Sequence, residues 1–103
     1  MFGMAEIHFE VTSSLGKRIR VTKSYWNFII TAKHPMMAGK EALVEDALMN
    51  AEEVRRSNKD KEVFIYYKRT KRYFIAVVCK HLNGSGYIIT TYITDRIKIG
   101  DIV

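Results

Sequence analysis

The sequence contains very little cysteine and proline. Among its 103 residues, Cys79 is the only cysteine and Pro35 the only proline. A single cysteine excludes an internal disulfide and a cysteine-based zinc site. Cys79 ends an apolar run that begins at Ile75, so we expect it to be a small buried side chain. Cysteine usage of this kind is typical of a reducing compartment, which predicts a cytoplasmic protein.

Long apolar runs and low-complexity tracts are absent as well. No stretch approaches the roughly 20 apolar residues that a membrane-spanning helix needs, so we expect no membrane association. Residues Met1 to Glu10 carry two glutamates and no basic segment, which is not the pattern of a signal peptide. With no repeats or linkers, residues 1–103 are predicted to form a single domain.

Positive charge is in excess and unevenly distributed. The formal net charge is +6. From Glu41 to Glu53 there are five acidic residues and no basic one, whereas from Arg55 to Arg72 there are eight basic residues and two acidic ones. Such a polarised distribution suits a polyanion such as nucleic acid, although a solvated surface selected for solubility would look similar.

The first half of the chain reads as a hairpin followed by two helices. Apolar and polar residues alternate over residues 6–11 and 18–22, on either side of a Ser/Gly turn. Ser24 is a candidate N-cap for a helix from Tyr25 to about His34, which Pro35 should end. Apolar spacing predicts a second helix from Lys40 to about Glu53.

The second half reads as strands. Residues 55–62 are expected to form a polar basic loop, and strands are predicted at 63–68, 72–80 and 87–93. Asn83-Gly84-Ser85-Gly86 is a turn signal, and residues 94–103 are a tail that could add an edge strand. The predicted fold class is therefore α+β, with an N-terminal β-hairpin and two helices packed on a C-terminal antiparallel meander.

Several kinds of chemistry lack support in the sequence. The glycine-rich turn at residues 83–86 joins two strands and does not precede a helix, so it is not a phosphate-binding loop. His8, His34 and His81 are far apart and none has a carboxylate pair at ligand spacing, so neither a metal nor another cofactor is expected. No nucleophile-elbow pattern is present.

The remaining polar residues suit cleavage of RNA by its own 2′-hydroxyl, which needs proton transfer and positive charge but no metal. His34 ends a helix, where the helix dipole favours its protonated form, or it merely caps carbonyls. Arg56 could clamp a phosphate, or pair with Glu52 or Glu53. Lys80 is a further candidate, although it could also be an ordinary lysine at the end of a strand. Either Tyr66 or Tyr67 could belong to the site, because the two point to opposite faces, and Thr90 and Tyr92 share one face of the last strand. The basic hairpin that includes Lys68 and Arg69 could contact RNA.

An ordered series of short segments carries a resemblance to a known group. These segments are Trp26-Asn27-Phe28-Ile29, Lys33-His34-Pro35, Arg56-Ser57, Tyr66-Tyr67, Lys80, residues 83–92 and Thr94-Asp95. Over roughly residues 18–103 the chain resembles the small phage and prokaryotic nuclease-like domains of the barnase–EndoU–colicin–RelE superfamily. The resemblance implies helices followed by a four-stranded antiparallel sheet, and a metal-independent, toxin-like ribonuclease held in check by an antitoxin.

Transferred by position, the resemblance implies that the site consists of His34, Arg56, Ser57, Tyr67, Lys80 and Thr90. Similar sequences carry a further histidine where this chain has Phe28, so Lys33 or Tyr67 would have to be the second proton-transfer group. We expect the end of the first helix and the last three strands to bring His34, Lys80 and Arg56 into one positively charged hollow.

Three functions therefore stay open at the level of sequence. The first is an endoribonuclease in which His34 transfers protons, Lys80 and Arg56 stabilise the phosphorane, and Tyr67 and Thr90 position the phosphate. The second is a non-catalytic nucleic-acid-binding module. The third is a basic subunit that docks an acidic, antitoxin-like partner. A monomer or a small homo-oligomer is compatible with each of them.

Overall fold

The computed structural model describes residues 6–97 and 101–102 and has the α+β fold that the sequence predicts. The α-helices and strands are β1 (Ile7–Thr12), β2 (Arg18–Thr22), α1 (Lys23–Phe28), α2 (Glu41–Met49), β3 (Glu53–Arg56), β4 (Val63–Arg69), β5 (Phe74–His81), β6 (Ser85–Thr94) and β7 (Asp101–Ile102). A π-helical turn at Ile29–Lys33 and a 3-10 turn at Pro35–Met37 lie between the two α-helices.

The described strands form one sheet in the order β1-β2-β6-β5-β4-β3-β7. The predicted N-terminal hairpin β1-β2 and the antiparallel meander β4-β5-β6 are confirmed. The hairpin is not a separate unit, because β2 pairs with β6 in parallel. The sheet is therefore mixed, and the start of the chain lies beside its last long strand.

The core lies between α2 and one face of the sheet, which we call the α2 face. Its buried apolar side chains come from both α-helices, from the two turns between them and from five strands: Ile19, Val21, Trp26, Ile29, Met37, Val44, Ala47, Leu48, Val54, Tyr66, Ile75, Val77, Cys79 and Ile88. Cys79 is buried as predicted, and burial raises the pKa of its thiol. Transfer of these side chains from water is the main stabilising contribution to folding.

The first helix ends before Pro35 as predicted, but it differs from the prediction in its N-cap and in the form of its last turn. Thr22, and not Ser24, is the N-cap, since the Thr22 hydroxyl accepts the Tyr25 backbone N–H at 3.1 Å. The α-helix ends at Phe28 and continues as the wider π-helical turn to Lys33, before Pro35. Both Thr22 and Ser24 are good capping residues, and the end of β2 determines which of them is used.

The second helix is shorter than predicted, and the expected basic loop is partly a strand. α2 ends at Met49, whereas Glu53–Arg56 pairs with β4 as β3. Val54 is buried in the core from this strand, which favours pairing over continuation of the helix. In the predicted tail, Asp101–Ile102 adds an edge strand to β3, and residues 98–100 and 103 lie outside the described residues.

Across the described part of the chain, no helix combines the length and the apolar character that a bilayer crossing requires.

Candidate functional site

The sheet face opposite α2 carries most of the polar candidates, and we call it the groove face. Strand side chains alternate, so the neighbours of buried Val77 and Cys79 point away from α2. Cross-strand partners continue this face: Lys80 lies opposite Val63, Val78 opposite Thr90, and Ala76 between Tyr67 and Tyr92. Lys80, Thr90, Tyr67 and Tyr92 therefore share a face, as the proposed site requires.

A cavity of about 620 Å³ opens on the groove face where β2, β5 and β6 are neighbours. It is lined by Arg20, Thr22, Tyr25, Asp60, Val63, Lys80, Tyr87, Ile88 and Ile89. Arg20 projects into it because its neighbours Ile19 and Val21 are both buried in the core on the other face. Arg20 makes no ion pair with any described residue, so its guanidinium is available to an anionic ligand.

Lys80 also lines this cavity, but its charge is already compensated. Its Nζ lies 2.9 Å from Asp60 Oδ2 and 3.2 Å from Glu62 Oε1. The hydrogen bond to Asp60 raises the pKa of Lys80, and the hydrogen bond from Lys80 lowers the pKa of Asp60. Both groups are therefore charged at neutral pH, and Lys80 offers less positive charge to a phosphorane than the sequence suggested.

A bulge in β6 links the cavity to the end of the first helix. Between the partners of Val78 and Cys79, β6 has one extra residue, Ile89. The Tyr25 hydroxyl donates to the Ile89 carbonyl at 2.7 Å, and Lys33 Nζ lies 3.5 Å from the same oxygen. Lys33 Nζ is also 5.6 Å from the centre of the Phe28 ring, within range of a cation–π interaction.

His34 follows the π-helical turn and lies against Tyr92, three residues beyond the bulge in β6. Its backbone N–H donates to the Ile29 carbonyl at 2.7 Å, which closes the π-helical turn, and its ring centre is 5.6 Å from that of Tyr92. A π-helical turn of this kind is frequently found at functional sites. Ile89 and Tyr92 are three residues apart, so the bulge and His34 are separated by roughly 10 Å along the strand.

Tyr67, Tyr92 and Thr90 occupy the middle of the groove face. Tyr67 is fully buried, so it does not contact a ligand directly in this conformation. Burial raises the pKa of Tyr92, and a hydrogen bond with Tyr67 partly opposes that shift. Thr90 Oγ1 is buried and has no hydrogen-bond partner among the described residues, which is uncommon for a hydroxyl in a folded protein.

The remaining candidates lie elsewhere, so the expected single hollow does not form. Arg56 is paired with Phe64 and stacks over its ring at 5.7 Å on the α2 face, away from Lys80. The Ser57 hydroxyl accepts the backbone N–H groups of Lys59 and Asp60 and so shapes the β3–β4 loop. The prediction that Arg56 clamps a phosphate beside His34 and Lys80 is therefore wrong, because Arg56 lies on the opposite face of the sheet.

The two basic residues at the end of β4 also point to opposite faces. Lys68 Nζ lies 4.0 Å from Asp46 of α2, so its charge is partly neutralised on the α2 face. Arg69 lies over the Phe74 ring at 5.4 Å at the far end of the sheet from the cavity. Neither residue contributes to the groove beside Lys80.

Sequence reasoning missed three groove residues, Arg20, Tyr25 and Asp60. The alternation in β2 does place Arg20 opposite Ile19 and Val21, but the parallel pairing of β2 with β6 leaves no local signal. Within residues 6–97 and 101–102, no three or more His, Cys, Asp or Glu residues are grouped so as to hold a metal ion.

No family model, no curated protein and no solved structure matches this chain.

Proposed function

We propose that the protein binds RNA along the groove face and cleaves it without a metal ion, with His34 as the proton-transfer residue. The observation that carries this proposal is the position of His34 against Tyr92, on the strand that leads to the cavity containing the unpaired Arg20. An imidazole for proton transfer, and a guanidinium that forms no ion pair with a described residue and can hold the RNA, are groups that attack by a 2′-hydroxyl can use.

In this reaction His34 accepts the proton of the 2′-hydroxyl as its oxygen bonds to phosphorus. The bond from phosphorus to the 5′-oxygen breaks, and the leaving oxygen takes a proton from Lys33, which precedes His34 in the chain and has an exposed, flexible side chain. The products are a 2′,3′-cyclic phosphate and a 5′-hydroxyl. Arg20, whose charge no described carboxylate compensates, binds a neighbouring phosphate of the same RNA in the cavity, whereas Arg56 lies on the other face and Lys80 is ion-paired.

RNA cleavage also fits the inferred setting of the protein. Its one buried cysteine suits a reducing cytoplasm, where cellular RNA is abundant. The resemblance to toxin-like nuclease domains adds an acidic antitoxin as a protein partner. Such a partner would block the groove face by pairing with Arg20 and Lys33.

The test is incubation of the purified protein with total RNA in EDTA. We expect fragments with cyclic phosphate ends, and a loss of about 100-fold in rate for His34→Ala. His8→Ala is the matched control, because His8 pairs with Glu41 at 2.9 Å and does not line the cavity. Equal rates for the two variants would show that His34 is not the proton-transfer residue.

A gain of activity tests the same site from the other direction. Phe28 is 45% exposed and lies beside Tyr25 and Lys33, so a histidine there would reach the same cluster. If His34 is the first proton-transfer group, Phe28→His should supply the second and raise the rate by about tenfold. A rate unchanged by Phe28→His would place the second group elsewhere.

A second candidate function is non-catalytic binding of RNA or of an acidic protein. The observation that favours it is the ion pairing of Lys80 with Asp60 and Glu62, which leaves less free charge for transition-state stabilisation. It predicts salt-dependent RNA binding with no product after long incubation. Binding to an acidic partner in preference to RNA, in a direct competition, would favour the protein-docking form of this candidate.

A further inference from the structure

A second cavity, of about 480 Å³, lies at the turn between β5 and β6. Its lining includes His81 at the end of β5, Phe64 of β4, and the cations Lys17 and Lys61 from two different loops. The Phe64 and His81 rings stack at 3.9 Å with an interplanar angle of 13°, which fixes the plane of the imidazole. The proposed cleavage site uses none of these residues.

A hydrogen-bond chain orients the His81 ring. The Tyr66 hydroxyl donates to Ser13 Oγ at 2.8 Å, and it lies 2.9 Å from His81 Nε2. A phenol has one proton, so the bond to Ser13 requires that His81 Nε2–H donate to the Tyr66 oxygen. The neutral ring then carries its lone pair on Nδ1, and burial, the larger effect, together with Lys17 lowers the pKa of His81 to about 4.

Nδ1 is the free acceptor of this cavity. It has no hydrogen-bond partner among the described residues. Only 6% of the His81 residue is exposed, but Nδ1 is not among the fully buried polar atoms. Because Nε2 is directed at Tyr66 and one ring face is covered by Phe64, Nδ1 is the polar atom of His81 that a ligand can reach. It accepts a hydrogen bond from an O–H or N–H donor.

The two lysines supply positive charge around this acceptor. Lys17 Nζ donates to the Leu82 carbonyl at 3.2 Å, which holds the ammonium at the turn, and its backbone N–H donates to Ser13 Oγ. Lys61 is exposed and forms no ion pair with a described residue. The carboxylate of Glu62 also lines the cavity, but it is drawn to Lys80 at 3.2 Å.

We propose that this cavity binds a ribonucleotide, with its phosphate on Lys17 and Lys61 and the adjacent ribose hydroxyl donating to His81 Nδ1. A phosphate alone would satisfy the lysines but not the oriented acceptor. A deoxyribonucleotide lacks the donor that the acceptor needs, so the site discriminates RNA from DNA through the hydroxyl. The proposal is independent of cleavage at His34, which lies on the other face of the sheet.

The test is calorimetric titration of the full chain with adenosine 3′-monophosphate, its 2′-deoxy analogue and inorganic phosphate. We expect the ribonucleotide to bind about tenfold more tightly than either of the others. The double substitution Lys17→Met and Lys61→Met should weaken ribonucleotide binding by about tenfold or more. Lys59→Met is the matched control, since Lys59 is exposed and lies outside this cavity.

Histidine variants separate this site from the groove. His81→Gln should remove the preference for ribose over deoxyribose, and His34→Ala should leave all three affinities unchanged. Equal affinities for the ribonucleotide and its deoxy analogue in the unmodified protein would overturn the proposal. So would unchanged binding in the double lysine variant, or loss of binding in His34→Ala, which would assign the mononucleotide to the groove face.

Discussion

The two faces of the sheet use the same strands for different purposes. On the α2 face, Val77, Cys79 and Tyr66 are buried against the helix and make up the core. On the groove face, Lys80, Arg20 and Thr90 surround or adjoin a cavity of about 620 Å³. Apolar side chains pack closely on the α2 face, whereas the groove face keeps two polar groups, Arg20 and the Thr90 hydroxyl, that have no partner among the described residues, beside the ion-paired Lys80. Strand alternation thus separates stability from the proposed function at the level of single residues.

The largest effect should come from filling space on the packed face. A Cβ at Gly86 would lie 2.3 Å from the Lys80 carbonyl oxygen and 2.9 Å from Ile19 Cδ1. Gly86→Ala should therefore cost about 3 kcal/mol or more in the free energy of unfolding, measured with urea. Gly84→Ala, two residues earlier, meets no atom within 4 Å and suffers only from its positive φ, at about 1 kcal/mol. A similar loss of unfolding free energy at both positions would show that the side chains around Ile19 can move to accommodate a methyl group.

Acid should destabilise the protein through the α2 face. The pKa of His81 is about 4 in the folded state and 6.5 ordinarily. Between these two pH values the unfolded chain binds a proton at His81 and the folded chain does not. Stability contributed by neutral His81 is then present at pH 7 and is lost as the pH falls from about 6.5 toward 4, by up to about 3 kcal/mol. His81→Gln keeps an N–H donor for Tyr66 but does not titrate. Its unfolding free energy should approach that of the unmodified protein on acidification, and parallel profiles would contradict this account.

Removing the charge of Arg20 from the groove face should weaken RNA binding, and removing the charge of Lys68, which lines neither cavity, should not. Arg20→Met is expected to reduce affinity by about tenfold and to lower the salt slope for single-stranded RNA by about 0.7. Lys68→Met is the control, because Lys68 faces Asp46 of α2 at 4.0 Å. Filter binding over a range of salt concentrations measures both. Equal effects of the two substitutions would mean that Arg20 does not contact the RNA.

The smallest expected effect concerns the bulge that joins the cavity to His34. Tyr25→Phe removes the hydroxyl that donates to the Ile89 carbonyl at 2.7 Å and should cost about 1 kcal/mol of stability. Tyr87→Phe is the matched control on the cavity rim, since the Tyr87 side chain is 42% exposed and has no hydrogen bond to a described residue. Urea unfolding of both variants should differ by that amount, and a neutral Tyr25→Phe would show that Lys33 alone satisfies the bulge carbonyl.

Local sequence patterns predicted which helices and strands form better than they predicted the residues at which each one starts and ends. Alternation identified the first hairpin, and turn residues identified the meander, because these signals depend on neighbours in sequence. Glu53–Arg56 was assigned to a helix and a loop, since its acidic and basic composition hides the single apolar contact of Val54. The pairing of this segment with β4 is a long-range interaction that overrides local propensity.

The candidate site also has features that depend on local sequence and features that depend on long-range contacts. The sequence by itself determined that His34 would end the first helical segment, that Tyr66 and Tyr67 would face opposite sides and that Cys79 would be buried, because each depends on residue type and local periodicity. Only the tertiary structure decided that Arg56 would lie on the opposite face from Lys80, that Asp60 and Glu62 would neutralise Lys80, and that Arg20 would enter the groove. The first two outcomes follow from the register of β3, β4 and β5. The third follows from the parallel contact of β2 with β6, which joins residues more than 60 positions apart in the chain.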